Sequence, residues 1–189
     1  MKLTLIQSLL SSFVFILVAT AGCSQHSSQN NQVLLPSPSP PARVSNSAEV
    51  VKVQTTSVDI PVAGETAASI ILSISPGYHV NANPATFPYL IATEVEQIPY
   101  PDNPIIMGEP VYPSPVKKKF AFAEQPLAVY EGDVTIKIPL RLAVHEKSYV
   151  RIKSGVHLSE PINVRVQACD DEKCFPPATL NTTLAVDVK

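Results

Sequence analysis

Alternating apolar and polar residues run through the part of the chain that follows Ser47, as in β-strands with one buried face. The strongest alternation spans residues 133–143, where the apolar face carries Val134, Ile136, Ile138 and Leu140. Further strands are predicted at residues 50–58, 67–74, 90–98, 149–153, 162–168 and 183–188, with short extended segments at 120–122 and 127–130. About eight short strands separated by turn residues predict an all-β fold, a two-sheet sandwich.

Prolines set the limits of this pattern. The chain has 19 prolines, and residues 99–115 contain six of them. Proline lacks the N–H group that a helix interior or a central strand uses, so long helices are not expected. Residues 99–115 are therefore predicted to form a loop or an irregular sheet edge.

The first 22 residues (1–22) have the composition of a lipoprotein signal peptide. Lys2 is followed by an apolar, uncharged stretch over residues 3–21, which is also long enough for a retained membrane helix. The small residues just before Cys23 resemble a bacterial lipoprotein cleavage box. Cleavage there would leave Cys23 as the lipid attachment site. Ser24 is not the Asp that retains lipoproteins at the inner membrane, which favours the outer membrane.

Residues 23–47 differ in composition from the chain that follows. They are rich in Ser, Gln and Asn and then in Pro, so they cannot bury enough apolar surface to fold and are predicted to be a disordered tether. Residues 48–189 are long enough for one domain with its own core. The formal net charge of −2 offers no basic surface, so nucleic acid is not an expected partner.

Cys169 and Cys174 are the only cysteines of the predicted domain. Three of the four residues between them are acidic, so we expect an exposed, acidic turn between two extended segments. A disulfide here closes a six-residue ring, for which chain entropy gives about 2 kcal/mol. The pair is then either a structural staple or a redox-active dithiol. Two cysteines are too few for a metal site unless histidines approach them in the fold, and no metal is expected.

The sequence around these cysteines resembles the active-site segment of the N-terminal periplasmic domain of the thiol:disulfide interchange protein DsbD. The similar residues are Gln-Ala-Cys at 167–169 and Cys-Phe-Pro-Pro at 174–177. Two upstream segments, at 77–84 and 130–134, resemble other parts of the same family in the same order. Val166 departs from the family, which often has Tyr there. The resemblance covers about residues 49–189 and implies an immunoglobulin-like sandwich.

The resemblance also implies a role for each cysteine and for two upstream residues. Cys174 would form the mixed disulfide with a partner protein, and Cys169 would resolve it. His79 and Asn81 alternate with Val80 and so share one face, and the resemblance places them beside the disulfide. From the residues alone, a polar surface face explains these two side chains equally well.

A loop with an aromatic side chain covers the disulfide in this family. The matching loop spans residues 120–126 and precedes the Tyr-Glu-Gly segment at 130–132. Phe122 is the first candidate for this lid and Phe120 the second. The alternative is that both aromatic side chains belong to the core. A lid would restrict exchange, because an attacking thiolate must reach a sulfur in line.

These features together predict thiol–disulfide exchange on the periplasmic side of the bacterial cell envelope, with an activity like that of a protein-disulfide reductase. Acidic neighbours disfavour a cysteine thiolate, so attack by a partner's thiolate is easier to explain than a self-activated cysteine. No nicotinamide, flavin or metal motif is present, so no cofactor is expected. Electrons would pass between thioredoxin-like or membrane-embedded thiol–disulfide partners. The rival hypothesis is a non-catalytic binding or assembly lipoprotein with a purely structural disulfide.

Overall fold

Strands dominate the chain that the computed structural model describes, which comprises residues 43–143 and 152–189. A single 3-10 turn, Ser47–Glu49, precedes the twelve strands within these ranges. In chain order the strands are β1 (Val51–Thr55), β2 (Val58–Ile60), β3 (Glu65–Ile74), β4 (His79–Asn81), β5 (Glu94–Gln97), β6 (Ile105–Met107), β7 (Val116–Lys118), β8 (Leu127–Tyr130), β9 (Asp133–Leu142), β10 (His157–Val166), β11 (Ala168–Cys169) and β12 (Ala178–Val188). The predicted signal peptide, Cys23, most of the tether and most of the predicted strand at 149–153 lie outside the described residues. Within those residues, no helix has the length and apolar character needed to cross a bilayer.

The strands form three four-stranded sheets. Their orders are β1-β3-β9-β6, β2-β12-β10-β5 and β11-β4-β8-β7. The long strands of the first two sheets pair antiparallel, β3 with β9 and β10 with β12. Strand β2 instead runs parallel to β12. The chain therefore crosses from the first sheet to the second between β1 and β2.

The first two sheets share one large core. Buried and more exposed residues alternate along β3 and β9 and along β10 and β12. The buried side chains of both sheets belong to one cluster, which includes Ile70, Leu72, Ile136, Ile138, Ile162, Val164, Leu184 and Val186. This packing of one apolar face from each sheet gives an immunoglobulin-like β-sandwich, and the predicted all-β fold class is confirmed.

Several strands lie where the alternation predicts them. Strands β3 and β9 cover the runs at 67–74 and 133–143, and β10 to β12 cover those at 162–168 and 183–188. The predicted strand at 50–58 is divided into β1 and β2, which pair in different sheets. The proline-rich segment at 99–115 contains the short strand β6 at a sheet edge, where missing N–H donors are tolerated.

Two predicted segments differ from the structure. The strand predicted at 90–98 begins only at Glu94, because the hydroxyl and the N–H of Thr93 both donate to Asn81 O instead of entering a ladder. The segment at 120–122 is a turn, in which Ala123 N donates to Phe120 O at 3.2 Å. In both places, local hydrogen bonds around the third sheet replace strand pairing.

One carboxyl group is buried in the second sheet. Glu160 on β10 is fully buried, and Asn103 Nδ2 donates to its two oxygens at 3.1 and 3.0 Å. The hydroxyl of Tyr100 lies 3.5 Å from Glu160 Oε2. Burial raises the pKa of Glu160, and hydrogen bonds from Gln97, Asn103 and Tyr100 only partly oppose the rise. Glu160 thus ties the loop before β6 to β10.

Candidate redox site

The small third sheet holds Cys169 between two apolar clusters. Its register pairs Ala168 with Val80 and Val80 with Tyr130, and these three residues belong to the large core. The neighbouring pair, Cys169 and His79, therefore points to the opposite face. That face carries a second cluster, called the cover cluster here, made of Phe120, Leu127 and Val129 with Phe87, Leu90 and Ala123 packed against them.

The two cysteines are joined by a disulfide but differ in exposure. The Cα atoms of Cys169 and Cys174 lie 3.9 Å apart. Cys169 has 0% of its surface exposed, whereas Cys174 is partly exposed. Residues 171–173 of the turn are exposed, as expected. Cys169 itself does not lie on the exposed turn, because it belongs to strand β11.

The acidic residues between the cysteines build a tight turn. Asp170 Oδ1 accepts hydrogen bonds from the backbone N–H groups of Glu172 and Lys173, at 2.9 and 2.8 Å. Phe175 N donates to Ala168 O at 2.8 Å, and this hydrogen bond joins the two residues that flank the disulfide-linked turn. Burial alone would raise the pKa of Asp170, but these backbone N–H groups and nearby positive charge lower it below its ordinary value. The turn thus uses one carboxylate as a structural acceptor.

His79 and Asn81 are buried on the disulfide's side of the sheet, so the alternative of a polar surface face is wrong. Asn81 Nδ2 donates to Ile91 O at 3.0 Å and to Gln167 Oε1 at 3.2 Å. The His79 ring is 1% exposed and stacks on Phe120 with centroids 4.1 Å apart. Within the described chain, His79 Nε2 and Asn81 Oδ1 are buried with no hydrogen-bond partner.

Four charged residues surround His79. Burial and the positive charge of Lys118 lower the pKa of His79, while Glu131, Asp171 and Asp170 act in the opposite direction. Lys118 Nζ lies 2.7 Å from Glu131 Oε1 and 3.8 Å from Asp171 Oδ1. The net direction is downward, so His79 is neutral near physiological pH.

The two aromatic lid candidates occupy different layers. Phe120 is 3% exposed and lies against His79, whereas Phe122 is 41% exposed. Their rings stack with centroids 5.4 Å apart. Phe122 also lines a cavity of about 290 Å³, whose other lining residues are Tyr89, Leu90, Ala123, Leu127, Gln167 and Cys174. The alternative that both side chains are core residues therefore holds for Phe120 alone.

Three residues contribute to the site in ways that the sequence does not predict. Gln167 joins Asn81 to the N–H of Ile91 through one side-chain oxygen. Lys118 belongs to a basic run that charge alone predicts to be solvated, and Tyr89 has no strand or motif around it. The one available signal is the place of Gln167 in the Gln-Ala-Cys segment that resembles the family.

The start of the described domain is attached to the same site. Ser47 is fully buried, and its N–H and hydroxyl both donate to Pro176 O, at 3.1 and 2.8 Å. The Ser47 hydroxyl also accepts the N–H of Ala168 at 2.8 Å. One side chain thus joins the residue before Cys169 to a residue just after Cys174.

The fold and the site define a class of protein: a β-sandwich domain with a disulfide at the edge of a small third sheet, beneath the cover cluster. The family model for "Thiol:disulfide interchange protein DsbD, N-terminal" matches residues 47–185, and the chain belongs to this family. The matched residues include both Cys169 and Cys174.

Among solved structures, the N-terminal periplasmic domain of ScsB from Proteus mirabilis has 14% identity to this chain and a TM-score of 0.46. That alignment covers 74% of this chain and 47% of the ScsB chain, so this chain spans about half of the length of the ScsB chain. The periplasmic chaperone SfaE has 10% identity and a TM-score of 0.32, with 74% of this chain and 56% of that chain covered. A comparison with curated protein sequences returned no match.

Proposed function

We propose that this protein passes electrons between protein partners in the bacterial cell envelope by thiol–disulfide exchange at Cys169 and Cys174. Membership of the DsbD N-terminal family supports this chemistry and an envelope location. The observation that carries the proposal is the unequal exposure of the two sulfur-bearing residues. Cys174 lines the cavity and is partly exposed, whereas Cys169 is fully buried.

This asymmetry gives the order of exchange. A partner's thiolate must approach a disulfide sulfur in line, and Cys174 is the cysteine that the cavity opens to. A new bond forms between the partner's sulfur and Cys174 while the Cys169–Cys174 bond breaks. The bonding pair stays on the Cys169 sulfur, which takes up a proton. In the reverse direction Cys169 attacks the mixed disulfide and releases the partner as a thiolate.

The cavity beside Cys174 has the character of a partner-docking surface. Tyr89 is 72% exposed and Phe122 41% exposed, and together with Leu90 they give the cavity apolar walls. An exposed aromatic pair next to a reactive sulfur suits the apolar surface around the cysteine of a thioredoxin-like or membrane-embedded thiol–disulfide partner. Phe122 would be displaced when such a partner docks, which is the lid role proposed for it.

The attachment to the membrane is part of the proposal. Residues 1–22 would be removed as a lipoprotein signal peptide, and Cys23 would carry lipid. Residues 23–47 would then be a tether for the domain at 48–189. The Ser after Cys23 favours the outer membrane, and the domain would then lie on its periplasmic side.

A redox titration and a trapping experiment test the function. A carrier pair should have a reduction potential above about −300 mV, whereas structural disulfides lie below that value. Replacing Cys169 by Ala should leave a mixed disulfide between Cys174 and a partner in cells, which non-reducing gels and mass spectrometry would identify. The matched Cys174→Ala variant should trap nothing. A reduction potential below about −300 mV, together with no mixed disulfide in the Cys169→Ala variant, would favour the rival function. That function is a binding or assembly lipoprotein with a structural disulfide.

A further inference from the structure

The buried position of Cys169 creates a protonation problem for exchange. To resolve a mixed disulfide, Cys169 must react as a thiolate, because a thiol is a poor nucleophile. Its side chain is fully buried, and two acidic residues, Asp170 and Asp171, follow it directly in the sequence. Burial and negative charge both raise the pKa of a thiol. The reduced Cys169 therefore needs a nearby group that accepts its proton.

His79 has the geometry for this task. It is the register partner of Cys169 in the antiparallel pairing of β4 with β11. Directly opposed residues point to the same side, with Cβ atoms about 4.5–5.5 Å apart, so an imidazole lies beside the Cys169 side chain. Stacking on Phe120 at 4.1 Å holds the ring in place. The buried atom His79 Nε2 has no hydrogen-bond partner among the described residues.

We propose that His79 is the general base that activates Cys169 when it resolves the mixed disulfide, an inference that rests on the proposed function. The Cys169 S–H proton moves to His79, and the sulfur's electron pair forms the bond to Cys174 Sγ. The bond between Cys174 and the partner breaks, and its electron pair leaves on the partner's sulfur. Two electrons thus pass to the partner while one proton stays on the imidazole. The reverse reaction returns that proton to Cys169.

The surrounding charges fit this cycle. Neutral imidazole has a free lone pair for the proton, and burial and Lys118 keep His79 in that form. Once protonated, the ring is attracted by Glu131 after β8 and by Asp170 and Asp171 on the turn. Lys118 on β7 binds Glu131 at 2.7 Å and so limits this attraction. The imidazolium is therefore transient.

The resolving step can be followed directly with dithiobis-nitrobenzoate, an aromatic disulfide that releases a coloured thiolate. All full-chain variants carry Cys23→Ser, so that the cysteine pair supplies both thiols. Attack by Cys174 releases the first coloured thiolate, and closure by Cys169 releases the second. In His79→Gln and His79→Phe, the second phase should slow by about tenfold or more near pH 7, because an ordinary thiol with a pKa of about 8.5 is only about 3% thiolate there. The rate should then rise with pH up to the thiol's own pKa.

Two variants and one control separate a base from a structural residue. His79→Phe keeps a ring against Phe120, and His79→Gln keeps a polar group, so both must slow closure if the base is what matters. His157→Gln removes an exposed histidine on β10 and should leave both phases unchanged. Wild-type rates and pH profiles in both His79 variants would overturn the proposal and leave the exchange function standing. Release of a single coloured thiolate by the wild-type protein would instead show that the pair does not close, and the function itself would fail.

Discussion

Replacing Phe122 by Ala should speed reduction of the disulfide by a small thiol while leaving the protein folded. Phe122 contributes to the wall of the cavity that opens to Cys174 and rests on Phe120 from outside. Its removal takes away the outer layer of the cover but leaves the buried layer in place. The perturbation therefore acts on access to Cys174 more than on the core.

The size of the effect follows from exposure. Phe122 is 41% exposed, so 59% of its surface (100 − 41) is covered. Full burial of a Phe side chain is worth about 1.5–3 kcal/mol, so the covered part is worth about 1–2 kcal/mol. If this energy holds the lid closed, its loss raises the open population by about 5- to 30-fold, since 1.4 kcal/mol is tenfold. Phe120→Ala should cost about 3–5 kcal/mol of folding stability, because that ring is buried.

The assay measures the pseudo-first-order rate of reduction by dithiothreitol, with alkylation and mass detection of the freed thiols, beside a urea unfolding curve for each variant. Phe122→Ala should show the faster rate and the small loss of stability. Phe120→Ala is the matched control and should show mainly the stability loss. The lid reasoning is refuted if neither variant changes the reduction rate, or if Phe122→Ala loses as much stability as Phe120→Ala.

Three further predictions concern the anchor, the disulfide and the buried carboxyl. Cys23→Ala should release the protein from membranes. If this variant stays bound to membranes after high-salt washing, an uncleaved helix is the anchor instead. The double variant Cys169→Ala, Cys174→Ser should keep a cooperative unfolding transition in urea. The disulfide ring contributes only about 2 kcal/mol, whereas typical domain stabilities are about 5–15 kcal/mol. Loss of the transition at room temperature would favour a structural disulfide. The pKa of Glu160 is raised in the folded state, so its protonated form stabilises the fold at low pH. That contribution to the free energy of unfolding should be lost as pH rises from about 4.3 through the folded-state pKa. Unfolding curves of Glu160→Gln should lack this decline in stability. An unchanged pH dependence in the variant would exclude the Glu160 carboxyl as the source of the decline.

The sequence predicts the sandwich well because its strands carry their own signal. Along β9, every second side chain is apolar and buried, so periodicity alone places both the strand and its inner face. The third sheet lacks such a signal, since β4 and β11 are only three and two residues long. Alternation shows that His79 and Asn81 share a face, but it cannot show that this face is covered. The cover comes from residues between 87 and 129, which the fold brings to the site from elsewhere in the chain.

The same limit applies to the two lid candidates and to the cysteines. Apart from the family resemblance, the sequence does not separate two phenylalanines two positions apart. The cluster around His79 distinguishes the buried Phe120 from the exposed Phe122. The acidic residues correctly mark a turn, yet the burial of Cys169 depends on pairing with β4. Pairing between short strands is a long-range contact, which local composition does not encode.

The bonds of Ser47 also have a mechanical consequence. The N–H and the hydroxyl of Ser47 donate hydrogen bonds to Pro176 O, and its hydroxyl oxygen accepts one from Ala168 N. A force applied to the chain from the N-terminal side would therefore act on these hydrogen bonds early. The flanks of the disulfide would then bear the tension before most of the sandwich does. If Cys23 anchors the chain to a membrane, pulling on the domain would distort the exchange site while the sheets remain intact. A force-spectroscopy measurement of disulfide reduction rate against load, with Ser47→Ala as the uncoupled variant, would detect this link.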